Sequence, residues 1–223
     1  FVAALTLMLA DPDVRGLDDP VDAYVPGLLR DGDRVTIRDL LSHRAGLFDF
    51  TSDPELLRDD LPPRALVRIA DARERLPGYA YSSTNYLVLG LLLEEATGEP
   101  LAGLLRRHVF EPFGLDRTTF EAGVVPGRHL HGHALATRDG VATGAPRDTS
   151  HLTAVSAWAA AAVVSTARDL DRFFSVLWSR GLAARMTPRP GDRYGLGLGR
   201  GEAPCGEIVF NGAYPHLRDG ILR

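Results

Sequence analysis

Residues 77–98 read PGYAYSSTNYLVLGLLLEEATG, and this stretch organises the chain. A Pro-Gly turn passes two tyrosines and enters a polar knot of Tyr81, Ser82, Ser83, Thr84 and Asn85. An apolar run follows and stops at Gly98. Ser83 or Thr84 can cap a helix there, because a hydroxyl oxygen accepts one of the orphan N–H groups of a first turn. LVLGLLLEEA fills the helix and Gly98 ends it, glycine taking the left-handed conformation of a C-terminal cap at little cost. The knot has two readings: a set of helix caps, or the edge of an active site.

Upstream, Thr36 and Asp39 give a capping-box-like start to IRDLLSHR, which stops at Gly46. Residues 1–10 read as a buried helix, followed by the turn-rich link DPDVRGLDDP. Residues 50–63 are acidic and proline-rich, a surface loop, and Pro63 suits the first turn of a helix over PPRALVRIADA. Downstream, Pro100 starts LAGLLRRHVF, and residues 118–153 read as loops and short strands. Ser165 is positioned to cap ARDLDRFFSVLWS, which Gly181 ends. The tail changes character: YGLGLGRG and EIVFNGA read as two strands joined by a turn. The expected class is α+β, a single domain over 1–223 with a helical body to about 180 and the start of an antiparallel sheet lobe over about 190–223.

The bulk numbers fit a globular chain: 223 residues, 45% hydrophobic and 24% charged. Net charge is −4 and the only basic doublet is Arg106-Arg107, which excludes a phosphate-tracking surface and hence a nucleic-acid partner. One cysteine, Cys205, excludes an internal disulfide. All 25 basic residues are arginine. A guanidinium does not give up its proton in a protein, so lysine-dependent base or Schiff-base chemistry is closed to these residues alone. No stretch is long enough to span a bilayer. FVAALTLMLA is like a signal-peptide core but lacks an initiator methionine, a basic flank and a cleavage site.

Ser42-His43 has the composition of a catalytic pair, but neighbours on a helix point about 100° apart, so His43 reads as a residue packing the helix end. His129, His131 and His133 alternate and would share one face of a strand at metal-like spacing. No further ligand is evident, so an exposed histidine-rich segment is the default and metal binding the distant alternative. The chain has no G-x-S-x-G elbow, no glycine-rich phosphate loop and no C-x-x-C. Tyr81 remains as an acid/base candidate. Its phenol ordinarily titrates near 10, so it needs a neighbouring cation to work at neutral pH.

Six segments in order resemble the serine β-lactamase and penicillin-binding-protein superfamily, in particular its class C β-lactamase and D-alanyl-D-alanine carboxypeptidase branch. They are FVAALTLMLA with GLDDPVDAYVPGL, VTIRDLLSHRAGL, PGYAYSSTNYLVLGLLLEEATGEPL, HVFEPFGLDRTTF, VVSTARDLDRFF and RYGLGLG. The resemblance implies a β-lactamase/transpeptidase-like fold, incomplete at both ends, and no cofactor. It implies acyl-enzyme hydrolysis of a D-alanyl peptide, a β-lactam or an ester, with a peptidoglycan stem peptide or β-lactam as partner. It also implies an extracellular or cell-envelope location.

The family's S-x-x-K motif would lie just before Phe1. Its Y-x-N motif falls on Tyr81-Ser82-Ser83, with Ser83 where an asparagine binds the substrate amide. Serine is shorter and lacks the amide's paired donor and acceptor. Its K-T-G or H-T-G motif falls near EIVFNGAYPH, on Asn211 and Gly212, with no cation in either register. Tyr81 is thus the expected catalytic residue, and Ser83, Asn211 and Gly212 the expected substrate-binding ones. Residues 1–223 are expected to be inactive by themselves, and weakly stable with sheet edges exposed. The alternative is a non-catalytic relative that binds a peptidoglycan peptide or a protein.

Overall fold

The computed structural model describes residues 1–10, 15–53, 55–56, 61–121, 133–134, 137–138, 141–148, 157–203 and 206–210. Helix α1 (Val2–Leu9) is buried on nearly every side from Val2 to Leu7. Its one polar core residue, Thr6, donates its hydroxyl to the Val2 carbonyl at 2.9 Å and so enters the core satisfied. Helix α2 (Ile37–Leu41) opens on the expected reciprocal cap: Thr36 Oγ1 accepts the Asp39 N–H at 3.1 Å, and Asp39 Oδ2 accepts the Thr36 N–H at 3.0 Å. Helix α3 (Pro63–Asp71) begins on Pro63 as expected and turns Leu66, Val67 and Ala70 inward.

Helix α4 (Thr84–Thr97) is the spine of the helical body. It buries Leu87, Val88, Leu89, Gly90, Leu92 and Leu93, and packs against α1, α2 and α3. A helix apolar on all faces belongs inside a layer of others. Gly98 closes it at φ 69°, its N–H bonded to Glu94 O at 2.8 Å. Helix α5 (Leu101–Leu105) runs through a π-turn at Arg106–Phe110 into α6 (Glu111–Phe113), burying Leu104, Val109 and Phe113.

Short antiparallel pairs follow: β2 (His133–Ala134) with β5 (Arg147–Asp148), and β3 (Thr137–Arg138) with β4 (Val141–Ala142) inside it. The preceding β1 (Thr119–Phe120) pairs with β6 (Val163–Val164), just after α7 (Trp158–Ala161). Helices α8 (Ala167–Ser179) and α9 (Leu182–Met186) complete the body. Strands β7 (Gly199–Ala203) and β8 (Gly206–Phe210) form the hairpin expected from the tail, with Gly199 opposite Phe210 and Ala203 opposite Gly206.

Two local expectations need correction. The cap of α8 is Thr166, whose hydroxyl accepts the Asp169 N–H at 3.2 Å. Ser165 Oγ instead sits 2.8 Å from Thr118 Oγ1, and buried Asp169 accepts Thr118 Oγ1–H at 2.7 Å and Arg117 N–H at 2.8 Å. Ser165 therefore fastens the approach to β1, one residue away from the helix start. The first tail strand also begins later than YGLGLGRG suggests. Leu196 donates its N–H to Met186 O at 2.9 Å, and Gly197 takes φ 100°, so residues 194–198 turn onto α9 before the ladder begins.

Candidate active site

The polar knot at the head of α4 divides cleanly. Ser82, Thr84 and Asn85 are fully buried, whereas Tyr81 is 40% exposed. The buried hydroxyls are bound to residues 48–50. Ser82 Oγ donates to Phe48 O at 3.2 Å and Thr84 Oγ1 donates to the same oxygen at 2.7 Å. Thr84 Oγ1 in turn accepts the Phe50 N–H at 3.3 Å. Ser83 occupies the cap position but makes no capping bond with its side chain. The orphan donors are met otherwise: Ser82 Oγ accepts the Thr84 N–H and Asp49 Oδ1 the Ser83 N–H, both at 3.2 Å. The capping role expected of Ser83 or Thr84 thus passes to Ser82 and Asp49. Thr84 is drawn away because its hydroxyl is committed to the main chain at 48 and 50.

Beneath the knot lies His43, wholly buried. The Ser42 hydroxyl donates to Arg38 O at 2.7 Å and takes no part in a pair with it, in keeping with the reading of His43 as a packing residue. The contacts of His43 nonetheless centre on the motif. Nδ1 accepts the Ser82 N–H at 3.2 Å and lies 3.1 Å from Asn85 Nδ2. A main-chain N–H can only donate, so Nδ1 carries the lone pair and Nε2 the proton. Burial pushes the imidazole down to about 4, so the ring is neutral at physiological pH.

Three tyrosines close around this ring. Its centroid lies 4.1 Å from Tyr81, 4.7 Å from Tyr194 and 5.3 Å from Tyr86. Tyr79 stacks on Tyr194 at 6.0 Å, farther toward solvent. Burial raises the Tyr86 and Tyr194 phenols far above their ordinary value, and both remain protonated. Burial raises Tyr79 too, against the opposing charge of Arg193.

Tyr194 arrives from the segment leading to β7, so the hairpin side and the helical side meet at this cluster. Arg44 Nη2 reaches Asp192 Oδ1 at 3.0 Å across the same seam. The loop carrying Tyr81 is fixed to the loop carrying His43 by Leu76 N–H to Gly46 O at 3.0 Å, Ala80 N–H to His43 O at 2.9 Å and Arg75 Nη1 to Ala45 O at 2.7 Å. Gly46, at φ 67°, is required there, because a Cβ would collide with the Leu76 carbonyl.

Of the sequence-derived site residues, Tyr81 and Ser83 stand together at this edge, and Asn211 and Gly212 lie outside the described residues, as do His129, His131 and Cys205. His133 is exposed on β2, and no metal-binding group of His, Cys, Asp or Glu occurs among the described residues. No described helix is long and apolar enough to cross a membrane. Tyr86 and Tyr194 were not singled out by sequence, and Asn85 entered there only as a member of the polar knot. The signal for Asn85 was a lone amide at the start of an apolar run, which must find a partner once buried.

This architecture is shared with solved hydrolase structures. A D-stereospecific amidohydrolase from Streptomyces sp. superposes with a TM-score of 0.80 at 27% identity, over 96% of this chain and 72% of that one. D-amino acid amidase from Ochrobactrum anthropi SV3 superposes with a TM-score of 0.76 at 27% identity, over 94% of this chain and 65% of that one. Among curated sequences, penicillin-binding protein 4* of Bacillus subtilis is 29% identical over 53% of this chain and 28% of its own length. The matched span is thus under a third of that relative. The class is that of serine-hydrolase-like proteins with the β-lactamase/transpeptidase fold. The Beta-lactamase family model matches residues 1–216, and the chain belongs to that family.

Proposed function

We propose that this chain is part of a serine hydrolase that forms and hydrolyses an acyl-enzyme, with Tyr81 as the proton-shuttling group. The observation that supports this best is the division of the knot. Ser82, Thr84 and Asn85 are spent on the interior, while Tyr81 is left half-exposed on a clamped backbone above a packed aromatic base. In the proposed reaction a serine oxygen attacks the substrate carbonyl carbon and the bond to the leaving group breaks. Tyr81 relays the serine proton to the leaving atom. A water oxygen then attacks the acyl-serine carbonyl, and the serine oxygen leaves with a proton returned by the same route. Residues 1–223 contain no lysine, so the proposed reaction takes the S-x-x-K serine and lysine that the family resemblance implies.

Ser83 is proposed to face the substrate amide, with Asn211 and Gly212 as further substrate-binding residues. The proposed substrate is a small amide, a β-lactam, an ester or a D-alanyl peptide. A teichoic acid D-alanine hydrolase from Staphylococcus aureus, 27% identical over 47% of this chain, supports a D-alanyl group among these. The same relative supports a cell-envelope location. The proposed partner is the substrate itself, with no cofactor. The test is burst release of p-nitrophenol or hydrolysed nitrocefin. The full-length protein is expected to show it, and residues 1–223 alone are not. Serine in place of asparagine at position 83 favours one second reading, a relative that binds such peptides without cleaving them. Absence of a burst from the full-length protein, with retained peptide binding, would select that reading.

A further inference from the structure

Tyr81 is gripped on both flanks by a single residue. The His43 carbonyl accepts the N–H of Ala80, immediately before Tyr81, at 2.9 Å. The His43 Nδ1 accepts the N–H of Ser82, immediately after it, at 3.2 Å. The same imidazole then lies under the Tyr81 ring, 4.1 Å away and tilted by 33°. One residue therefore fixes the main chain and the side-chain plane of the proposed proton shuttle.

His43 is itself held hard. It sits at φ 55°, the left-handed region that a residue with a Cβ occupies at a cost, so the surroundings must impose it. Asn85 Nδ2 lies 3.1 Å from Nδ1, and Tyr194 presses edge-on at 4.7 Å. Nε2, which bears the proton, has no hydrogen-bond partner among the described residues. A residue chosen only to fill this space would avoid both the strained backbone and the orphaned donor.

We propose that His43 is the positioning residue for Tyr81, setting the place and plane of its phenol through the two flanking hydrogen bonds and the ring contact. His43 is buried and touches no substrate; it acts through Tyr81. That part of the proposal which concerns turnover rests on the hydrolase reading above, and the part which concerns the tyrosine's placement does not.

The experiment has two arms, using the full-length protein labelled with 3-fluorotyrosine and the Tyr81 fluorine line assigned through Tyr81→Phe. In His43→Gln, whose amide oxygen can still accept the Ser82 N–H, the ring beneath Tyr81 is lost and the line is expected to shift and broaden. In His43→Ala the change is expected to be larger. In Ser42→Ala, a neighbour whose hydroxyl donates to Arg38 O of its own helix, the line is expected to stay in place. If the wild type shows an ester burst, kcat is expected to fall about 10²-fold in His43→Ala with KM little changed, as for a misplaced reacting group. Partial recovery of kcat is expected in His43→Gln. A Tyr81 line in His43→Gln indistinguishable from wild type would overturn the proposal, and this holds even where His43→Ala fails to fold. A wild type without any burst would overturn the hydrolase reading and leave the fluorine line to decide the positioning role.

Discussion

Position 82 fills the capping role expected of position 83. Ser82 carries the capping and tethering bonds, to Thr84 N–H and Phe48 O, while Ser83 makes no side-chain cap. Ser82→Ala is therefore expected to cost about 1–2 kcal/mol in a denaturant melt, the loss of a cap together with a buried bond. Ser83→Ala is expected to fall within about 0.5 kcal/mol of wild type, as for a site without such a feature. Equal losses at the two positions would contradict the assignment. Ser83→Asn, in the full-length protein, is expected to lower KM for an amide substrate by up to about tenfold, the worth of one added hydrogen bond.

The buried imidazole also sets a pH dependence. Its folded value is lowered from 6.5 to about 4. Between those values the unfolded chain binds a proton that the folded chain refuses, so stability falls as pH falls across that window. The loss levels off below about 4, after up to about 3 kcal/mol. Melts at neutral pH and in that window should show a steeper acid loss for wild type than for His43→Gln. Identical slopes would mean that His43 is not buried neutral.

At the scale of elements, α4 accepts α7 through a gap at Gly90. A Cβ there would lie 2.6 Å from both the Ala159 Cβ and the Trp158 ring. Alanine is the better helix former by up to about 1 kcal/mol, but overpacking a core contact costs about 1–3 kcal/mol. Crowding wins, and Gly90→Ala is expected to lower the melting temperature; a rise would show that α7 is not seated on α4.

Much of this level was legible in the residues. The Thr36–Asp39 cap, Pro63 at a first turn, Gly98 at a helix end and the tail hairpin are all local devices, and each is present. Ser165 misled because two adjacent hydroxyls can both cap, and the choice was made by Thr118 and Asp169, far away in sequence.

For the molecule as a whole, the order of six family-like segments revealed the fold, and the matching family model runs over nearly the same span. The site was only half legible. Tyr81 and Ser83 can be placed by motif, but His43, Asn85 and Tyr194 converge from three separate segments, and only the packed chain brings them together. The seam where Tyr194 meets His43 joins the helical body to the approach of the hairpin, so the proposed site belongs to both. Its Arg44–Asp192 ion pair is exposed and worth at most about 1 kcal/mol, leaving the aromatic contacts as the main tie.

The most direct measurement is single-turnover hydrolysis of a p-nitrophenyl ester by the full-length protein and its Tyr81→Phe variant. A stoichiometric burst from wild type, slowed about 10²-fold or more by removal of the phenol oxygen, is the predicted result for a general acid/base. A burst of equal rate in Tyr81→Phe would contradict the placement of proton transfer at this residue.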